Sequence, residues 1–260
     1  MHYQIYLLLL AFVIPTLATS QVVNTEKLRR TTNKKWVTEL DANVGLTRNR
    51  AGQTVRVGIM SRLEYQREQS GWMLLGSYDL TQFDDIDDPD GEISTFVNRS
   101  LGHLRYNYIT TDWLTMEAFS QVQFNEVQEI KVRVLHGLGP RFQLIRNDSL
   151  QLFLGSLYMY EYEETDETEV LVFNKDHRLS SYLSCGVQLK SYLILNHVTY
   201  YQPNLQNWSD YRISTETSIS VQVNKHIALS VGFELVYDTV PPLTVPRAMY
   251  SLRNGITATF

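Results

Sequence analysis

Past residue 35 the chain alternates between apolar and polar positions, segment after segment. From Trp36 one parity reads Trp36, Leu40, Ala42, Val44, Leu46, and the other Glu39, Asp41, Asn43, Gly45, Thr47. From Val55 the apolar set is Val55, Val57, Ile59, Leu63, Tyr65 against Arg56, Gly58, Arg62, Glu64. From Ile227 it is Ile227, Leu229, Val231, Phe233, Leu235, Tyr237 against Ala228, Ser230, Gly232, Glu234. A period of two puts successive side chains on opposite faces of a pleated strand. No window holds the i, i+3, i+4, i+7 pattern of an amphipathic helix. Twelve such segments are predicted: about 35–47, 53–66, 71–83, 93–109, 112–125, 130–146, 149–162, 176–190, 192–202, 210–224, 226–238 and 248–260. The eighth and ninth are the least regular, because Leu193, Leu195, Val198 and Tyr200 fall on both parities.

The linkers add information. Those after even-numbered strands are tight, as at Arg67–Ser70 and Thr110–Thr111, whereas Phe83–Glu92, Glu163–Lys175, Gln202–Ser209 and Thr239–Arg247 follow odd ones. Short turns at one end and longer loops at the other suit an outer-membrane barrel. Aromatics gather at the strand ends: Trp36, Trp72, Trp113 and Tyr192 at one interface, Phe83, Phe124, Tyr160, Tyr201, Trp208, Tyr211 and Tyr237 at the other. Amphipathic rings settle at headgroup depth. Backbone groups in hydrocarbon must all be bonded, so strands cross a membrane only as a closed sheet. The expected fold is therefore an all-β, transmembrane, antiparallel up-and-down β-barrel of about twelve strands, occupying residues 35–260.

Residues 1–20 read as a cleaved signal peptide: the apolar stretch Ile5–Ile14, then Ala18-Thr19-Ser20 before the expected cut. Residues 21–34, with Lys27, Arg29, Arg30 and Lys34, are expected to be a flexible periplasmic lead-in. The expected location is the bacterial outer membrane. No apolar run in the mature part approaches the ~20 residues of a spanning helix. A net charge of −5, evenly interleaved, gives no reason to expect nucleic acid as a partner. Cys185 is the single cysteine, so the chain has no internal disulfide; its parity faces lipid. The expected partners are outer-membrane lipid, lipopolysaccharide, and the barrel-assembly machinery, which would read a terminal strand ending at Phe260. Oligomeric state is left open.

Mid-chain, His103-Leu104-Arg105-Tyr106-Asn107 is followed by Glu117-Ala118-Phe119-Ser120-Gln121-Val122-Gln123 and Arg133-Val134-Leu135-His136-Gly137-Leu138-Gly139-Pro140-Arg141, then Leu154-Gly155 and Met159-Tyr160-Glu161. This succession resembles the uncharacterised salt-induced outer-membrane protein family, barrel proteins of unknown function, over about residues 95–165. The resemblance implies an outer-membrane location and supplies no catalytic residue.

The inward parity is rich in charge. Arg56, Arg62, Arg99, Arg105, Arg133, Arg141, Arg178, Arg212 and Arg253 nearly balance Glu39, Asp41, Glu64, Asp79, Glu117, Glu161, Glu216 and Glu234. The candidate polar network facing the lumen is Arg99, His103, Arg105, Glu117, Gln121, Arg133, Arg141 and Glu161, on strands four to seven. It is read first as ion pairing that fills the interior, second as an eyelet for small solutes. Enzyme templates fail: no His is followed directly by Ser, and no HExxH or Gly-x-Ser-x-Gly string occurs. The acidic run Asp84–Gly91 does not fit the EF-hand spacing, and is read as a solvated loop with weak divalent-cation binding as its rival. No catalytic residue, cofactor or metal site is assigned. The expected role is an envelope barrel, with a narrow pore for small solutes. A purely structural or adhesive barrel closed by ion pairs is the alternative, and a lipid hydrolase a more distant one.

Overall fold

The computed structural model describes residues 35–50, 52–85, 93–167, 170–224 and 227–258. The expected signal peptide, the lead-in, most of the acidic run and Phe260 lie outside these residues.

Twelve strands form: β1 (Trp36–Arg48), β2 (Gly52–Gln66), β3 (Ser70–Asp85), β4 (Ser94–Thr111), β5 (Leu114–Asn125), β6 (Ile130–Arg146), β7 (Leu150–Glu167), β8 (Val170–Lys190), β9 (Leu193–Pro203), β10 (Tyr211–Gln222), β11 (Ile227–Asp238) and β12 (Ala248–Ala258). They make one antiparallel sheet in strict sequence order, each strand bonded to the next. The predicted all-β, antiparallel up-and-down arrangement of about twelve strands is thus the observed one, and no described helix is long and apolar enough to cross a membrane.

The sheet curls around an interior. Arg212 on β10 donates to Glu161 on β7, and the Tyr182 hydroxyl on β8 donates to Glu117 on β5 at 2.6 Å. The Arg253 guanidinium on β12 interacts electrostatically with Arg99 on β4 and Asp79 on β3. Thr244, in the β11–β12 loop, donates to Glu129 after the short 3-10 turn Glu126–Gln128 between β5 and β6. This loop, on the far side of the strand order, therefore reaches across the end of the curled sheet at which the odd-numbered strands finish. No ladder joins β12 to β1 among the described residues.

Which parity faces in follows the sequence. Arg62, Arg99, Arg105, Arg133, Arg141, Arg178 and Arg212 are buried, while Leu74, Leu104, Leu138, Leu183, Leu229 and Val231 on the other parity are exposed. The aromatic girdle at the even turns is present: Trp36 packs on Tyr65, Trp72 on Tyr106, Trp113 on Phe142, at centroid distances of 4.4, 4.5 and 6.1 Å. At the opposite end Tyr201, Tyr211 and Tyr237 form a continuous ring row.

One expectation is corrected. The outer loop predicted at 163–175 is a continuation of β7 and β8, paired up to Glu167 opposite Val170. There Glu163 faces in and Glu164 out, so acidic residues on both faces mask the alternation. The interior is also not uniformly polar: Phe119, Leu135, Leu157, Met159, Tyr182, Val198 and Tyr200 form a buried apolar cluster on the inward face of β5–β9. Its packing depends on glycine. A Cβ at Gly137 would lie 2.2 Å from the Phe119 ring, and one at Gly155 would lie 2.1 Å from the Tyr182 ring. These two aromatics lie flat over bare backbone, a packing that any larger residue blocks.

Candidate functional site

The candidate residues face one interior but separate by height, because period two fixes the face of a residue and not its depth. Towards the even turns, Arg105 and Arg141 flank Glu117 at 3.7 and 3.9 Å. The Tyr182 hydroxyl completes this group, and the Arg141 guanidinium lies 3.7 Å from the Phe153 ring centroid. Nearby, Arg62 bonds Glu64 at 2.6 Å and Glu39 at 3.0 Å. At mid-height the His103 Nδ1 meets Gln121 Oε1 at 3.0 Å, and Gln121 donates to Gln123 at 2.6 Å. His103 also stacks on Phe119, with centroids 5.7 Å apart.

The upper group is the largest. Glu161 forms an ion pair with Arg133 at 3.1 Å and accepts hydrogen bonds from Arg178 at 2.8 Å and from Arg212. Arg133 also pairs with Glu163. Arg178 forks onto both Asp210 oxygens at 3.1 and 2.9 Å and reaches Asp176 at 2.9 Å. Asn204 donates to the same two aspartates, and Arg212 bonds Asp238 at 2.7 Å. Arg99, at the same end of the lumen, pairs with Asp79 at 3.2 Å.

Sequence reading missed Glu163, Asp176, Asp210 and Asp238 as members of this network. Glu163, Asp176 and Asp210 fall in segments read as outer loops or their edges, and Asp238 ends a strand. The period of β7 extended past Glu161 was the signal that could have found Glu163. With these four the interior is more acidic than the near balance expected.

Outside the network, His197 on the outward face bonds Thr217 at 2.8 Å and Thr199 at 2.9 Å. His177 bonds the Tyr158 hydroxyl. Cys185 lies half-buried on the outward parity, opposite His197 in the ladder.

The interior burial is uneven around the sheet. Glu117 and His103 have no exposed surface, whereas the inward side chains of Glu39 and Asp79 keep 29% and 20%. The buried apolar cluster fills the β5–β9 side, while on β1–β3 Arg62, Glu64, Met73 and Leu75 are buried and Glu39 and Asp79 are partly exposed.

These features define an inside-out sheet, charged within and apolar without, in which buried ion pairs and an apolar cluster share the interior. The chain belongs to the DUF481 family, described as a protein of unknown function, whose model matches residues 42–246. Membership of an uncharacterised family agrees with the resemblance seen in the sequence; salt induction is not part of that description. No curated protein matches. Among solved structures, a NanC porin matches at 10% identity over 85% of this chain and 100% of that one, with a TM-score of 0.45. A bacterial polysaccharide outer membrane secretin matches at 8% identity over 86% and 91%, with a TM-score of 0.42. No residue or activity is transferred from either.

Proposed function

We propose that this protein is an integral barrel of a bacterial outer membrane that passes small solutes along one side of its lumen. The observation that carries the reading is the inversion of the sheet: exposed leucines, valines and aromatics ring the outside, while arginines and carboxylates are buried inside. In water this arrangement leaves a large apolar surface uncovered. In a bilayer the same surface is solvated by lipid and the polar lumen is shielded, as in outer-membrane barrels. Free strand edges find no partner in hydrocarbon, so on this reading β1 and β12 pair with each other there. The partly exposed inward groups of β1 and β3 supply the wet wall of the passage.

A second reading, a barrel without a passage, is favoured by the complete burial of Leu135, Leu157, Met159 and Glu117. Single-channel recording of the full chain in planar bilayers separates the two. Discrete conductance steps support a passage; a silent protein that floats with vesicles and shifts its gel mobility on heating supports the sealed barrel. Protein that neither floats nor shifts overturns both.

We place no hydrolytic reaction in this molecule. The bonds of His103, His177 and His197 go to Gln121, Tyr158 and Thr217, none of them the serine of a Ser–His dyad. On the same reading its partners are outer-membrane lipid, lipopolysaccharide and the barrel-assembly machinery.

A further inference from the structure

We propose that the upper lumen wall of β4–β6 is a subsite for an uncharged polyhydroxy solute, bound by the side chains of Arg99, Asn125 and Arg133. The inference rests on the reading that small solutes enter the lumen, and narrows them to a chemical class.

Among the described residues, Arg99 Nη2, Asn125 Oδ1 and Arg133 Nη1 are buried and make no hydrogen bond. The three residues are 8%, 6% and 2% exposed. Buried polar groups are ordinarily bonded, so three such atoms on adjoining strands call for a partner. They lie close together. Arg99 and Asn125 are direct partners in the ladder, and Arg133 opposes Gln123, one inward step below Asn125. Neighbouring strands are about 4.8 Å apart and an inward step is about 7 Å, distances an arginine side chain covers.

Asn125 adds an independent sign. It occupies the N-cap of the turn Glu126–Gln128 yet makes no side-chain cap bond. Asparagine is among the strongest capping residues, so here the amide oxygen is held back from its usual role, on the inward parity at the outer mouth.

The charges decide the ligand class. Arg99 is already compensated by Asp79, and Arg133 by Glu161 and Glu163. An anion entering here meets the carboxylates of Asp79, Glu161 and Glu163, and a cation meets the guanidiniums of Arg99, Arg133 and Arg212, the last also paired with Glu161 and Glu163. What remains is two N–H donors and one carbonyl acceptor, on groups whose charges are already paired. A hydroxyl both donates and accepts, and the vicinal hydroxyls of a sugar supply both functions at once.

The test uses the full chain in detergent micelles and saturation-transfer NMR with three probes of one carbon skeleton: glucose, gluconate and glucosamine. Saturable transfer is expected to glucose, stronger than to either charged analogue. Asn125→Leu and Arg99→Lys are each expected to weaken it about tenfold, the loss of one well-made bond, with heat-modifiable migration retained. No saturable transfer, equal transfer in Asn125→Leu, or preference for gluconate or glucosamine overturns the proposal; the first means that these atoms hold water only. Liposome swelling with glucose, run in parallel, keeps the two readings distinct. Swelling without saturable transfer sinks the subsite and leaves the passage; transfer without swelling supports the subsite and removes the passage.

Discussion

Replacing Gly155 by alanine isolates the contact on which the filled side of the barrel depends. The new methyl would sit 2.1 Å from Tyr182 Cε1 and 2.4 Å from Cζ, against the 3.4–4 Å of ordinary contact. Relief requires the ring to retreat by more than about 1 Å, and over-packing of this kind costs about 1–3 kcal/mol. That retreat also breaks the 2.6 Å bond from the Tyr182 hydroxyl to the fully buried Glu117. A hydrogen bond to a charged group contributes about 1.5–3 kcal/mol. The expected loss is therefore about 2–5 kcal/mol, after roughly 0.5–1 kcal/mol is subtracted because alanine suits a strand better than glycine. Urea titration of the refolded barrel, followed by tryptophan fluorescence and by the proportion of heat-modifiable band, measures it. In a Tyr182→Leu background the ring is gone, and the alanine should cost less than about 1 kcal/mol, a coupling of about 1 kcal/mol or more. A Gly155→Ala protein within about 0.5 kcal/mol of the parent, or an equal loss in both backgrounds, refutes the reasoning.

Three further outcomes are expected. Glu161→Gln leaves Arg133, Arg178 and Arg212 without their shared carboxylate, and because breaking a buried ion pair costs about 3–5 kcal/mol, the urea midpoint should fall; an unchanged midpoint excludes a structural role for the network. Cys185, on the outward parity, should react in intact outer membranes with a lipid-soluble maleimide and resist a sulfonated one, so equal labelling by both counts against its facing lipid. Thr244→Ala releases the β11–β12 loop from Glu129, and tryptic cleavage after the exposed Arg247 should quicken while the urea midpoint holds; identical cleavage kinetics argue that this contact does nothing.

Much of the architecture was legible because the exposed and the enclosed face of the sheet impose opposite demands on neighbouring residues. Val55, Val57, Ile59 and Leu63 announce β2 as plainly as the ladder does. Legibility fails where that contrast vanishes. Glu163 and Glu164 are adjacent on β7 and put acid on both faces, the first turned in and buried and the second out. In β9 both parities carry apolar residues for another reason: Leu193 and Leu195 face out, while Val198 and Tyr200 pack into the interior cluster. Alternation sorts faces, and it cannot tell hydrocarbon from a packed protein interior. The candidate network failed to appear as one unit for a similar reason. Arg133 and Arg178 flank Glu161 on neighbouring strands, but Arg212 reaches it from β10, and nothing in a strand's own pattern names a partner across the curl.

The bond from Arg212 to Glu161 has a consequence for how the molecule is made. Each hairpin can finish its own ladder and several of its ion pairs, Arg62 with Glu39, Arg99 with Asp79 and Arg105 with Glu117 among them. The upper group is different, because Glu161 and Glu163 receive Arg212 only when β10 swings round to β7. That part of the interior is therefore completed after the wall that surrounds it. A chain halted before β10 leaves two acidic side chains one guanidinium short, and quality-control proteases have a reason to find it.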